Sequence, residues 1–308
     1  MNRVKGYRVF GTWLRSWVSF IVAFLALVLV YVLCWAAIQK WAPSATEYFR
    51  WGAIGAGVIG AIMLIFNELI VKWSMKAYRI RYREQCPKLW DAVVRACPAH
   101  FRPRPRIYMI PSGEMNAIAF GWGIRFMSAV GATEGIVERL SDQELTAVMA
   151  HEVGHILNKD ILVSMMMMYA VMTMSFTGWM IWRFGPWKAG NSRRSSSNSK
   201  GSGGAALLVI LLVGGTLYLL GRILGVILQM FVSRQREYAA DARSARRMGT
   251  SRPLITALQK ISGRAQIAGP IAGTAFGGLC TEDPYPNDMF STHPAMPKRI
   301  NALHDLEG

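Results

Sequence analysis

The residues whose types and spacing point most directly to chemistry are two histidines four residues apart, His151 and His155, and the glutamate that follows the first. Residues at positions i and i+4 of an α-helix lie on one face, so both imidazoles can turn a ring nitrogen toward a single zinc ion. A carboxylate at Glu152 can then take a proton from a water that is about to attack a peptide carbonyl. This arrangement is typical of metallopeptidases.

A pattern with so few fixed residues also occurs in chains without a metal, so the surrounding sequence matters. Ser141 has the side chain of a helix N-cap, and Glu144, three residues later, completes a capping box. Apolar residues then recur at helical spacing, which predicts a helix that begins about ten residues before His151. Gly154 disfavours a helix by about 1 kcal/mol relative to alanine. Either another backbone or a substrate approaches it closely, or a small residue is simply tolerated there.

The third metal ligand must come from elsewhere in the chain. The extended pattern that adds a glycine and a third histidine is absent, because Asn158 and Ile161 stand at those positions. Further on, Glu237 and Asp241 stand four positions apart on a predicted helix. Glu237 is the better ligand candidate, and Asp241 can accept the free ring N–H of a zinc-bound histidine. Alone, two acids at this spacing are more typical of a solvated helix face, but the histidine pair favours a metal site.

Together these segments resemble the HtpX-like integral-membrane zinc metallopeptidases, which are relatives of the CAAX prenyl endopeptidases. The resemblance extends over most of the chain, from about Tyr78 to the C-terminus, and the hydrophobic layout is similar as well. It rests on segments that follow the order of the family, which are Asn116–Gly121, His151–His155, Glu237–Asp241 and Ser291–Pro294 with Arg299.

The resemblance implies a role for each residue that matches the family pattern. His151, His155 and Glu237 are expected to bind one Zn2+ ion per chain. Glu152 is expected to be the general base, and Asp241 to support a histidine.

Three further residues are placed near the active site by the resemblance. Asn116 is expected on a strand that lines the substrate cleft, and His293 and Arg299 on the C-terminal segment. For His293 the expected role is hydrogen bonding to the oxyanion of the tetrahedral intermediate. A surface histidine before Pro294 is the alternative.

The composition places this chemistry in a membrane. Apolar residues make up 52% of the 308 residues, charged residues 17%, and the mean hydropathy is +0.24. Such a chain is too apolar for an ordinary soluble domain of this length. Glycines spaced along the second apolar segment, among them Gly52 and Gly60, predict a close helix neighbour. The segments long enough for membrane helices are 17–38, 51–71, 161–182 and 205–232.

Charge predicts the orientation of these segments. Lys and Arg cluster before the first segment and after the second, so both of these flanks and the histidine helix are expected on the cytoplasmic side. The second pair of segments must either both span or both fail to span if Glu237 is to meet the histidines. Spanning is favoured, although cations in a predicted flexible linker at 183–204 are awkward for an outer loop. Packing of this pair partly against the catalytic domain is the alternative.

The formal net charge of +17 suits a chain beside anionic headgroups. Nucleic acid is excluded as a partner, because no aromatic-basic RNA motif or basic helix repeat accompanies the charge. The expected partners are membrane lipids and unfolded or membrane-protein substrates, and the oligomeric state stays open. Free thiols are expected at the cysteines, which form no CxxC pair and are Cys34, Cys86, Cys97 and Cys280.

Short strands are predicted at 106–110, 116–120 and 126–130, between the second apolar segment and the histidine helix. An edge strand beside a zinc site can pair with the backbone of an extended substrate, which gives binding largely independent of side chains. The alternative is that these strands only cover the catalytic helices.

The sequence therefore predicts a mainly α-helical membrane protein with four hydrophobic helices. A cytoplasmic α+β zinc-peptidase domain, with a small sheet beside the histidine helix, completes the fold. The expected parts are an N-terminal transmembrane hairpin (1–72), a first catalytic part (73–160), a second helical pair (161–232) and a second catalytic part (233–308).

The expected activity is hydrolysis of internal peptide bonds on the cytoplasmic side of the cell inner membrane. By resemblance to the family, the expected role is quality control of misfolded or damaged membrane proteins. One alternative is a processing protease for a defined or lipid-modified peptide. Another is a catalytically silent zinc-containing scaffold, against which Glu152 argues, because a structural zinc site needs no base.

Overall fold

The computed structural model describes residues 9–122, 127–192, 202–262 and 295–306. Helices dominate these residues, and short strands form one small sheet. In chain order the helices are α1 (Val9–Trp41), α2 (Thr46–Ser74), α3 (Pro87–Ala96), α4 (Glu134–Arg139), α5 (Asp142–Asn158), α6 (Asp160–Ser192), α7 (Ser202–Met248), α8 (Arg252–Ile261) and α9 (Met296–Asp305). The strands are β1 (Tyr78–Ile80), β2 (Arg106–Ile110), β3 (Ala117–Gly121) and β4 (Ser128–Thr133).

The sheet has the strand order β1-β2-β4-β3, in which β2 and β4 are parallel and the outer pairs are antiparallel. Every residue of β3 and β4 is buried, and the register pairs Ile118 with Gly131. The predicted small sheet is confirmed, with each strand within three residues of its expected bounds. Strand β1 was not predicted, because three residues are too few for a period-two pattern.

The chain divides into two compact units, with boundaries inside helices. The first unit takes in Ile65–Ser164 with the described residues of Met1–Val18 and Met230–Gly308, and it contains the sheet and α5. The second takes in Ser19–Leu64 and the described residues of Met165–Gln229. The four-part division predicted from the sequence stays a prediction.

Apolar helices pack together in the second unit. Its buried core joins Ile38 and Phe49 with Ile181 from α6. Gly52 allows α2 to approach α6 closely, because a Cβ at Gly52 would stand 3.0 Å from the Cα of Thr177. The predicted close helix neighbour of this glycine-rich segment is thus confirmed.

Among the described residues, one helix is long and apolar enough to cross a membrane, Asp160–Phe184. Thr46–Ile62 and Ile65–Ser74 are bent by 64° relative to each other, and they provide a second such helix only if they form one span. Val28–Trp41 and Leu207–Gly221 are apolar but shorter. Apolar helices therefore occupy the predicted positions, but four spanning helices are not confirmed for the part of the chain described.

The polar linker predicted at 183–204 is shorter than expected. Helix α6 continues to Ser192 and α7 begins at Ser202, so only 193–201 separates them, outside the described residues. Phe184 contacts Trp179 and stacks on Tyr48, with ring centroids 5.8 and 6.2 Å apart. These aromatic contacts stabilise α6 at Phe184, in the first turn beyond the predicted segment.

Candidate metal centre

The histidine pair lies in α5, which begins as the sequence predicts. The Ser141 hydroxyl accepts a hydrogen bond from the Glu144 backbone N–H at 3.3 Å, and the Glu144 carboxylate accepts one from the Ser141 N–H at 2.8 Å. Lys260 from α8 forms a 2.7 Å ion pair with the same carboxylate. The helix is buried along most of its length, including at His151 and Glu152.

Helix α7 contacts α5 at Gly154 and brings its acidic residues to the histidines. A Cβ at Gly154 would stand 3.4 Å from the Cα of Ala240, so the two backbones approach closely. Nearby, the Ser244 hydroxyl donates to the Ala147 carbonyl at 2.6 Å. Of the interpretations open for this glycine, the structure supports close approach of another backbone.

Three side chains from these two helices converge. The Nε2 atoms of His151 and His155 are 3.1 Å apart. Glu237 lies 3.4 Å from each of them, through Oε2 to His151 and through Oε1 to His155. His151 and Glu237 are buried, whereas 13% of the His155 side chain is exposed, so solvent reaches the cluster there. These three residues form a group that can hold a metal ion.

The separations fit a tetrahedral zinc ion. With bonds of about 2.0 to 2.1 Å, neighbouring ligand atoms around a tetrahedron stand about 3.3 Å apart. The observed 3.1 to 3.4 Å needs little adjustment. Two imidazoles and a carboxylate also form the donor set of catalytic zinc sites, which leave a fourth position open.

Each histidine has a carboxylate at its other ring nitrogen. Asp241 Oδ1 lies 2.8 Å from His151 Nδ1, and Asp160 Oδ2 lies 2.9 Å from His155 Nδ1. A carboxylate at this position keeps the proton on Nδ1, leaves the Nε2 lone pair for a metal, and fixes the ring orientation. Asp241 is the residue that the sequence predicts here, whereas Asp160 was missed.

Asp160 reaches His155 because the chain turns sharply between α5 and α6. Lys159 closes α5 in the left-handed conformation, with φ of 61°. Arg236 holds the turn, since its Nη1 donates to the Asp160 carbonyl at 2.7 Å and to the Ser164 hydroxyl at 3.0 Å. An acid five residues after the second histidine is the available sequence signal. A continuous helix would place that acid on a different face, so helical spacing conceals the contact.

Arg299 from α9 neutralises the carboxylates behind the cluster. Its Nε and Nη2 donate to the two oxygens of Asp241 at 2.9 and 2.7 Å, and its Nη1 lies 3.3 Å from Glu237 Oε2. The arginine is fully buried. It therefore supports the metal-site acids, and its expected place in the substrate cleft stays a prediction.

Burial and neighbouring charges shift the pKa values of His151 and Asp241 in opposite directions. Burial lowers the pKa of His151, but the carboxylates of Asp241 and Glu237 outweigh it and raise this pKa to about 10 without a metal. Burial would raise the pKa of the Asp241 carboxyl, but Arg299 and then His151 outweigh it and hold that pKa below its usual range. Asp241 is therefore ionised beside His151.

Glu152 and His293 complete the predicted catalytic residues. Glu152 follows His151 in α5 and is fully buried. His293 lies outside the described residues. Both roles stay predictions.

Asparagines lie at both ends of β3, which is one of the two outer strands of the sheet. The side-chain oxygen of Asn116 accepts from the Ala117 N–H at 2.8 Å. At the other end, Asn67 from α2 donates to the Gly121 carbonyl at 2.7 Å and accepts from the Gly121 N–H at 3.1 Å. Both asparagines are buried, and the predicted cleft role of Asn116 stays a prediction.

With this geometry in place, comparison with known proteins identifies the family. Residues 85–307, more than half of the chain, match the family described as Peptidase family M48. The chain belongs to peptidase family M48. The resemblance to HtpX-like metallopeptidases is thereby confirmed, and M48 peptidases are zinc-dependent, in agreement with the donor set.

Several known proteins are similar to this chain. The Protease HtpX homolog of Lactobacillus helveticus is 34% identical over 262 residues, which cover 81% of this chain and 86% of that protein. The Protease HtpX homolog of a Nostoc species is 34% identical over 260 residues, with coverage of 82% and 86%. The crystal structure of S. mikatae Ste24p is also similar, with a TM-score of 0.49 and 20% identity, over 95% of this chain and 66% of that one.

Proposed function

We propose that this M48 chain is a zinc-dependent endopeptidase of the cell inner membrane that cuts misfolded or damaged membrane proteins on the cytoplasmic side. The observation that carries the proposal is the convergence of His151, His155 and Glu237, with donor atoms 3.1 to 3.4 Å apart. These residues would hold one zinc ion per chain. When bound, the ion supplies Lewis-acid chemistry that polarises the scissile carbonyl and acidifies water.

Glu152 is the proposed general base. Its carboxylate takes the proton from the attacking water and delivers it to the leaving amine. Full burial of Glu152, directly after His151, shields this proton from bulk solvent. His293 is proposed to donate a hydrogen bond to the oxyanion.

The acids behind the histidines orient them for this chemistry. Asp241 and Asp160 hold the Nδ1 protons of His151 and His155, which keeps both Nε2 lone pairs available. Arg299 balances the negative charge gathered at Asp241 and Glu237.

The outer edge of β3 is the proposed binding surface for the substrate backbone. Because every residue of β3 is buried, a substrate must displace the groups that cover this edge before it pairs there. The N–H and carbonyl of Gly121 point away from β4 and bind Asn67. The N–H and carbonyl of Ala119, two residues earlier, therefore also point away from β4. At the other end of β3, the side-chain oxygen of Asn116 accepts the hydrogen bond of the Ala117 N–H. Binding through backbone atoms at this edge would accept many sequences, which supports quality control over processing of a defined peptide.

The apolar surface of α1 supports the membrane location. Leu25, Leu29 and Leu33 follow helical spacing and remain 58 to 59% exposed, which forms an apolar stripe suited to lipid. The concentration of Lys and Arg before α1 and after α2 supports cytoplasmic placement of both ends of this hairpin.

The test compares zinc content and cleavage of an unfolded protein by detergent-purified wild type and Glu152→Gln. Both proteins are prepared under chelation, to limit self-digestion, and then given zinc. Both should bind about one zinc per chain, while the variant cuts at least about a hundredfold more slowly. Binding by both with cutting by neither would favour the processing or scaffold alternatives. Full zinc affinity in Glu237→Ala would remove this glutamate from the ligand set.

A further inference from the structure

A cavity of about 640 Å³ in the first unit is built from residues that the metal cluster does not use, within the size range of small-ligand sites. Its lining is strongly basic. The arginines that line it are Arg79, Arg81, Arg102, Arg104 and Arg106. All but Arg106 are exposed, so water screens part of their mutual repulsion, and an anion bound among them would reduce it further.

The pairing of β1 with β2 concentrates these charges. The register places Arg79 opposite Tyr108, and its continuation places Arg81 opposite Arg106, so like charges face each other across the strands. Arg106 forms a 2.6 Å ion pair with Glu68. Within the described part of the chain, it is the only lining arginine with a carboxylate at ion-pair distance. Towards the described residues, the other guanidinium groups form no side-chain hydrogen bond or ion pair, so their donors are open to a ligand.

The segment between α3 and β2 presents its arginines from a stiff backbone. Pro103 and Pro105 alternate with Arg102, Arg104 and Arg106. The proline rings fix φ at two positions, which reduces the entropy lost when the guanidinium groups bind one ligand. The backbone that carries these arginines is therefore fixed before a ligand binds.

The neighbouring end of α2 has the composition of a membrane interface. Leu69 and Trp73 are 58% and 79% exposed, and Lys72 and Lys76 are exposed beside them. Tryptophan and lysine together are typical of the headgroup level of a bilayer. Helix α2 ends at Ser74, just before β1, so the arginine cavity follows this interfacial segment directly in the chain.

We propose that this cavity binds the phosphate of an anionic ligand. Guanidinium groups donate to phosphate oxygens in bidentate geometry, which few other side chains can match. The interfacial end of α2 favours the headgroup of an anionic phospholipid over a soluble phosphate compound. The site is separate from the proposed peptidase chemistry and does not depend on it.

The experiment measures binding to the full chain in a neutral detergent, by native mass spectrometry with a titration. The probes are dioctanoyl phosphatidylglycerol, dioctanoyl phosphatidylcholine and inorganic pyrophosphate. Phosphatidylglycerol should bind saturably and phosphatidylcholine should not. Arg81→Gln with Arg104→Gln should weaken binding about tenfold or more, because hydrogen bonds to charged groups are lost. The matched control, Arg95→Gln with Arg252→Gln, removes equal charge from exposed positions and should bind as the wild type does.

The outcomes separate the two sources of phosphate. Saturable pyrophosphate binding that the Arg81 and Arg104 changes abolish, without phosphatidylglycerol binding, would keep the site and assign it to a soluble phosphate compound. Equal weakening by both double variants, or no saturable binding of either phosphate probe, would overturn the proposal.

Arginine modification tests the wild type without any substitution. Phenylglyoxal should modify Arg79, Arg81 and Arg104 more slowly when phosphatidylglycerol is present. Arg95 and Arg252 should react at unchanged rates. Unchanged modification of the cavity arginines in the presence of both phosphate probes would also overturn the proposal, even if the variants fail to fold.

Discussion

Arg299 and Asp241, 58 residues apart in sequence, form a buried ion pair with two parallel hydrogen bonds of 2.9 and 2.7 Å. Asp241 in turn lies 2.8 Å from His151. The first unit contains a second two-bond pair, Arg83 with Asp91, which lies on the surface. These pairs share their chemistry and differ in burial, so they show what burial contributes.

Arg299→Ala should destabilise the first unit by about 3 to 5 kcal/mol, because it leaves Asp241 buried without its cation. Arg83→Ala should change stability far less, since water and salt screen an exposed pair. Urea unfolding of the detergent-purified proteins, compared by midpoint and slope, measures both effects. Equal shifts for the two variants would show that the buried pair contributes no more to the free energy of unfolding than the exposed pair does.

Asp160→Asn should lower zinc affinity about 10- to 100-fold, because the imidazole of His155 loses the carboxylate that fixes its proton and orientation. Competition with a chelating dye measures the affinity directly. Asp142→Asn, at the exposed start of α5, is the matched control and should leave zinc affinity unchanged. Wild-type affinity in Asp160→Asn would contradict a supporting role for this residue.

Gly154→Ala should fold and bind zinc, because its Cβ would meet Ala240 at 3.4 Å, an ordinary van der Waals distance. The alanine should also favour the helix by about 1 kcal/mol. Gly154→Leu should separate α5 from α7, move Glu237 away from the histidines, and lose zinc. Zinc content and thermal unfolding of both variants test this, and normal zinc binding by the leucine variant would refute the packing argument.

Burial raises the pKa of the Cys97 thiol to about 11, and the nearby Arg104 and Arg247 offset this only in part. In the folded protein at pH 8, Cys97 should therefore react with iodoacetamide much more slowly than Cys86, which is only partly buried. Mass spectrometry of single-cysteine variants measures both rates, and the difference should vanish on unfolding. Equal rates in the folded state would contradict the prediction.

The same thiol links stability to pH. The folded chain holds the Cys97 proton more tightly than the unfolded chain, whose pKa is near 9.0. Its contribution to stability is therefore complete below that value and is lost as the pH rises toward about 11. Replacement of Cys97 by alanine should flatten the stability profile in this range.

Local patterns in the sequence predicted the central helix and the chemistry of its residues. Ser141 and Glu144 form the expected capping box, and His151 and His155 share one helix face. Such features depend on residues within one or two helical turns, so spacing alone determines them. The donor types, two imidazoles and a carboxylate, likewise determined which metal chemistry to expect.

The tertiary structure alone decided which distant groups meet. Asp160 supports His155 only because Lys159 adopts a left-handed turn, and Arg299 reaches Asp241 of α7 only because α9 packs against α8. The arginine cavity likewise depends on the pairing of β1 with β2, which cannot be predicted from a strand of three residues. The Arg299 contact and the arginine cavity depend on packing between residues far apart in the chain, and the Asp160 contact depends on a turn that ends the helix. Helical or strand periodicity carries no information on either.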